Sequence, residues 1–190
     1  MKLVLSHITG NANVRGVAMG LAKANLLAEF DVSMSVFPGS LPDRMASLPA
    51  FAELRRRSFD PLIKPYVKNW PWMEIGRLVS TKAGLDSLVS SQTGVFYIDN
   101  VCKNFDKRVA ANLQSAKKNG AGGVYCYEDI AEYSFIAAKE LGLKCIYDLP
   151  IGYWRSARKF LEAELERWPE WAETITSFMD AEAKLLRKEN

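Results

Sequence analysis

The sequence predicts an α/β fold, a mostly parallel sheet flanked by helices. Two strand–helix–strand patterns carry that prediction, one at each end of the chain. Their apolar runs also suit strands that helices cover on both faces.

The first pattern opens with Lys2 to Ile8, a run rich in Leu and Val that Gly10 breaks. Val14, Val17, Ala18, Leu21 and Ala22 then recur at helical spacing, with Asn11 or Asn13 placed to cap the first turn. Phe30 to Phe37 is β-branched and aromatic and stops at Pro38-Gly39, which predicts a second strand and closes a βαβ unit. The second pattern comprises a strand over Gly122 to Glu128, a helix over Ile130 to Leu141 stopped by Gly142, and a strand over Leu143 to Leu149. Between them, Leu48 to Ser58 and Ile63 to Val89 read as helices interrupted by Pro61, Pro65 and Pro71. Phe96 to Asp99 is open to a strand reading, but Ile98, Val101 or Cys102, Phe105, Val109 and Leu113 recur at three and four residues and favour one amphipathic helix. From Trp154 onward an apolar stripe through Leu161, Leu165, Trp168, Trp171, Ile175, Met179 and Leu186 predicts a helical tail, broken at Pro169.

Composition narrows the function classes. The chain has 190 residues, 48% apolar and 25% charged, which excludes disorder and low-complexity readings and makes one domain the expectation. Three cysteines at gaps of 24 and 19 residues fit neither a disulfide framework nor a paired-cysteine metal site, so a reducing cytoplasm is expected. No leader with a small-residue cleavage site is visible, and no run reaches the roughly 18 apolar residues of a membrane span. Net charge is +3, and Phe51 to Lys82 alone carries seven basic residues against three acidic. That balance does not call for nucleic acid as a partner.

Four groups of residues suggest chemistry. The loop Thr9 to Arg15 follows the first strand, where a helix amino end and Arg15 suit an anion and Gly10 lets backbone approach; Asn11 and Asn13 supply amides. An ordinary Asn-capped turn is the plain alternative. Glu128 and Asp129 follow a strand and would orient acceptor hydroxyls, or simply favour the start of a helix. Asp148, Tyr153, Trp154 and Arg155 offer a carboxylate, two aromatic faces and a cation, suited to a sugar phosphate or to packing on the terminal helices. Arg55, Arg56, Arg57, Lys64, Lys68, Trp70 and Trp72 mix cations with tryptophans as a membrane-facing surface does, or as a solvated surface around a packed Trp pair does. His7, the single histidine, reads as a core residue or as lining a cleft at the tip of the first strand. One histidine and scattered cysteines make no metal site, and a serine-hydrolase elbow is absent.

Taken together, SHITGNANVRG (Ser6 to Gly16), YEDIAEYSFIAAKELG (Tyr127 to Gly142), IYDLPIGYWR (Ile146 to Arg155) and the tail from Glu162 to Glu189 resemble the amino-terminal half of bacterial family 4 glycosyltransferases of the two-domain GT-B type. The resemblance spans residues 6 to 189. It implies a single Rossmann-like half domain over 1–190 with a helical carboxyl-terminal tail, holding a sugar or lipid-linked acceptor. A second, donor-binding domain, in cis or as a separate chain, would hold the nucleotide-sugar. It also implies transfer with retention of configuration and no metal or cofactor.

By the same resemblance the Gly10 to Asn13 loop, including Asn11, would face the donor diphosphate, with Arg15 beside it, and Asp148 to Arg155, including Tyr153 and Trp154, would line the acceptor side. From their own chemistry His7 and Asp129 join the acceptor-binding candidates. Many members carry a histidine after the strand equivalent to Ile146 to Asp148. Asp148, Leu149 and Pro150 stand there instead, so no catalytic histidine carries over, and Asp148 and Glu128 are the catalytic candidates. The family's donor domain has a glutamate pair near a basic residue, to which nothing in this chain corresponds. The expectation is therefore an acceptor domain inactive alone, cytoplasmic and peripheral on the inner face of an anionic membrane. The alternatives are a non-catalytic α/β module working with a partner chain, and an independent enzyme built around Glu128, Asp129 and Asp148.

Overall fold

The structure, a computed structural model, describes residues 1–46, 54–90, 93–149 and 153–173. The chain forms two compact units, Met1–Tyr147 and Asp148–Asn190. Among the described residues the strands are β1 (Lys2–Ser6), β2 (Leu27–Val32), β3 (Val67–Asn69), β4 (Ala121–Tyr127) and β5 (Lys144–Asp148). They lie in the order β3-β2-β1-β4-β5, and β1 runs parallel to both β2 and β4, as β2 does to β3. This is an α/β fold with a mostly parallel sheet flanked by helices, a generic Rossmann-like arrangement.

β1 is buried from Leu3 to Ser6, which explains its unbroken apolar run: the central strand has no face turned to water. Asn11 stops the strand–loop passage and starts α1 (Ala12–Lys23), its Oδ1 accepting the Val14 N–H at 3.0 Å. The two faces of β2 then separate. Phe30 stacks edge-on to Phe59 at 5.5 Å, on the side where Arg15 of α1 covers the same Phe59 ring. Glu29, one residue along and so on the other face, is bonded by Asn112 of α5 (Ile98–Lys118). Helices thus cover both faces. Each large apolar side chain fully buried between them, such as Leu5 or Phe30, contributes about 1.5–3 kcal/mol.

Helix α5 settles the ambiguous stretch before it. Val101, Phe105, Val109, Leu113 and Ala116 are all buried at intervals of three and four, and the helix takes in Ile98 and Asp99. Helix α6 (Glu132–Glu140) has no cap from its own Ala131; the α5 carboxylate of Asp106 instead accepts the Tyr133 and Ser134 N–H groups at 2.7 and 3.1 Å.

The middle of the chain departs from expectation. The second strand ends at Val32, and only Val36 continues it, as an isolated bridge to Ser58. Where helices were expected from Ile63 to Val89, Pro61–Tyr66 is a 3-10 turn and β3 follows, before α3 (Trp72–Lys82) and α4 (Asp86–Val89). Pro65 has no N–H to give the Pro61 carbonyl, so no α-helical turn closes there, and pairing with β2 makes Val67–Asn69 a strand. Ahead of these lies the short α2 (Leu41–Met45). The helix expected over Leu48 to Ser58 falls partly outside the described residues; 54–57 is a 3-10 turn. The second unit contains α7 (Trp154–Arg167) and a 3-10 turn at Pro169–Trp171, and the tail beyond 173 lies outside the described residues.

Candidate functional site: a cationic cleft at the end of β1

In an open parallel sheet, ligands gather at the carboxyl edge where successive connections leave in opposite directions. Here that switch lies between β1 and β4, because the chain builds β2 and β3 on one side of β1 and β4 and β5 on the other. The loops meeting there are 7–11 after β1 and 128–131 after β4. His7 and Tyr127 touch across the switch, their rings edge-to-face at 5.0 Å.

Thr9, Gly10, Asn11, Arg15, Arg56 and Arg57 line a cleft of about 360 Å3 beside the β1 loop. No carboxylate is among these lining residues, so the cleft is positive. Gly10 has a φ of +62°, and a Cβ there would overlap the Phe59 ring, so both the backbone conformation and the space require glycine. Arg15 lies with its guanidinium 5.3 Å from the Phe59 centroid and donates from Nη2 to the Arg56 carbonyl. Its Nε is buried and meets no partner among the described residues.

Arg57 is the best-fixed member. Backbone bonds between Val36 and the 57–59 segment, at 2.8 and 2.9 Å, hold its main chain. Its side chain, buried, donates from Nη1 to Ser33 Oγ at 3.3 Å and from Nη2 to Glu74 of α3. Ser33 Oγ in turn donates to the Ile8 carbonyl at 2.6 Å, tying Arg57 to the β1 loop. Arg77 completes the cluster with two bonds to Glu74, each 2.9 Å. Burial works against ionising Glu74, yet hydrogen bonds from Arg77 and the charges of Arg57 and Arg77 hold its carboxyl below the ordinary glutamate range. One carboxylate between two guanidiniums leaves a positive excess.

His7 closes the loop from behind. Its Nδ1 accepts the Thr9 and Gly10 N–H groups at 3.0 and 2.8 Å. Burial, and after it the charge of Arg57, lower its pKa to about 4, so the ring is neutral at pH 7 and carries its proton on Nε2. The same bonds occupy two backbone donors that a phosphate-cradling loop would have turned outward. Anion attraction here falls to the arginines and to the first free N–H groups of α1.

The loop residues singled out in the sequence thus meet at one place, though Asn11 uses its Oδ1 as a helix cap and Asn13 sits exposed on the first turn of α1. Glu128 and exposed Asp129 lie at the end of β4, Asp129 with a left-handed φ of +69°. Asp148 ends β5; Tyr153 precedes α7 and accepts a 3.1 Å bond from Arg155 Nε, and Trp154 opens the helix.

The proposed membrane-facing set does not form one face. Arg57 is buried against Glu74, Lys68 bonds Glu29 at 2.7 Å, and Trp70 donates from Nε1 to Asp31 at 2.7 Å. Exposed Arg55, Arg56, Lys64 and Trp72 are what remain of it, and Arg56 lines the cleft. Sequence reasoning missed both that Arg56 and Arg57 join the β1 loop and that Glu74 holds Arg57. One signal was present: a lone carboxylate amid Trp72, Met73 and Ile75 needs a buried partner.

Among the described residues no three His, Cys, Asp or Glu stand together to hold a metal, and no helix is long and apolar enough to cross a membrane. A scan against known protein families and searches of curated proteins and of solved structures each find no match. What fold and site define is an α/β module of the kind that binds nucleotides and similar ligands at its sheet edge.

Proposed function

We propose that the cleft binds a phosphoryl or diphosphate group, and that the chain serves as the acceptor-side part of a retaining glycosyltransferase. The observation that carries the binding reading is the meeting of Arg15, Arg56 and Arg57 with the start of α1 beside the switch between β1 and β4. The transferase reading adds the resemblance of four ordered sequence blocks. In it the arginines stabilise the leaving diphosphate of a nucleotide-sugar held by a donor-binding domain, and Glu128 and Asp129 orient acceptor hydroxyls. Asp148, Tyr153, Trp154 and Arg155 enter this proposal through the resemblance alone. Nucleoside recognition belongs to the donor domain, so this chain would bind diphosphate weakly, with Kd on the order of 1 mM.

Titration with inorganic pyrophosphate, followed by amide NMR, tests the binding reading. Shifts should centre on Gly10 to Asn13 and weaken in Arg56→Ala; shifts elsewhere, or none, overturn it. Incubating the chain alone with nucleotide-sugars and lipid or sugar acceptors tests the half-enzyme reading by mass spectrometry. No product is expected, and multiple turnovers would show an enzyme complete in itself.

A further inference from the structure

We propose that Asn11 is a specificity-determining residue of the cleft: its amide caps α1 through Oδ1 and offers Nδ2–H to an oxygen of the bound phosphoryl group, standing as an uncharged cap where an acidic one would repel the ligand. This rests on the reading of the cleft as a phosphoryl site.

Three observations converge on it. Asn11 itself lines the cleft, beside Thr9, Gly10 and the three arginines, and it is exposed. Its Oδ1 is committed, accepting the Val14 N–H at 3.0 Å, while its main-chain carbonyl accepts the Arg15 N–H at 3.0 Å. Only the oxygen of an amide accepts, so the cap fixes which end of the side chain is which and leaves Nδ2 with no acceptor among the described residues. The third observation is the distribution of charge. Each helix from α2 to α6 carries an acid in its first turn, whereas α1 carries none, and no carboxylate lines the cleft.

Helix stability alone does not account for asparagine here. Aspartate caps a helix as well, and its charge also favours the positive end of the helix dipole and the neighbouring guanidiniums. An acid at position 11 therefore suits the ligand-free protein, yet it sets a negative charge where a phosphoryl group has to sit. Serine caps about equally and has no amide N–H to give. Three residues that are equivalent as caps thus differ in what they present to an anion: a donor, no such donor, or a repelling charge.

Inorganic pyrophosphate is the probe, titrated by amide NMR at fixed ionic strength into wild type, Asn11→Ser and Asn11→Asp, with the urea midpoint of each protein measured alongside. Asn11→Ser should unfold at the wild-type midpoint and bind about ten-fold more weakly, the size of one hydrogen bond to a charged group. Asn11→Asp should unfold at an equal or higher midpoint and bind more weakly still, so that stability and affinity move apart. Three results overturn the role of Asn11 while leaving the phosphoryl site intact. They are wild-type affinity in Asn11→Ser, an affinity of Asn11→Asp no lower than that of Asn11→Ser, and midpoints that fall together with affinity, which would make the residue a cap and nothing more. Failure of wild type to bind pyrophosphate overturns both readings.

Discussion

Glu74 shares one carboxylate between Arg57 and Arg77, whereas Lys68 alone answers two carboxyls, bonding Glu29 while its charge reaches Asp31. The acids of both groups are buried, yet they behave in opposite ways. Glu74, with cations in excess, is held below the usual range. Asp31, buried and facing Glu29, is raised to about 8 despite the Trp70 hydrogen bond, so at neutral pH it keeps its proton. As a carboxylate its Oδ2 meets no donor among the described residues; once protonated it can donate toward Glu29. Burial costs an ion its hydration wherever it sits. The local excess of cation or acid then decides whether the acid stays ionised. The cleft lies beside the cation-rich group, which is why it remains positive.

Breaking the cation-rich group should have the largest effect. Glu74→Ala leaves Arg57 buried without its carboxylate, and urea unfolding should show a loss of about 3–5 kcal/mol. Glu74→Gln, which still accepts hydrogen bonds, should lose less. Next is the acid limb set by His7. Its folded pKa of about 4 lies below the 6.5 of the unfolded chain, so the unfolded state binds the proton first and stability falls as pH drops from about 6.5 to 4. Relative to His7→Asn, wild type should lose up to about 3 kcal/mol across that window, read by urea midpoints at successive pH values.

The acid-rich group sharpens the contrast because its pH dependence has the opposite sign. Folded Asp31 retains a proton that the unfolded chain gives up near 3.8, so its contribution declines as pH rises from about 4 to 8. Asp31→Asn mimics the protonated form, accepting from Trp70 and donating to Glu29. It should gain steadily on wild type through that window and level off above it, read by urea midpoints at successive pH values. Equal pH profiles for the two proteins would show that Asp31 is ionised. The smallest change is expected for Lys68→Met, about 1 kcal/mol by thermal unfolding, because the lysine side chain is 38% exposed and water screens the ion pair.

The same division between local and distant causes explains what could be read in the sequence. β1, α1, β4, α6 and β5 announce themselves because burial on both faces, glycine stops and caps leave marks within a few residues of each element. β3 leaves none: three residues, one of them Lys68, become a strand only because β2 lies alongside. The cleft divides likewise. Gly10, Asn11 and Arg15 follow one strand and were legible as a loop, whereas Arg57 arrives through Val36 and Glu74, contacts that no spacing encodes. A run of three arginines read as one surface is split by the fold into exposed Arg55, cleft-lining Arg56 and buried Arg57.

Asp106 makes the first turn of α6 depend on a different helix. If α5 lifts from the sheet, Tyr133 and Ser134 lose the acceptor of their N–H groups at the same moment, and nothing in the Ala131 side chain replaces it. The two helices therefore share one opening event. In native-state hydrogen exchange the start of α6 should exchange with the protection of α5, as a single cooperative unit, although a helix of 9 residues on its own would fray far sooner.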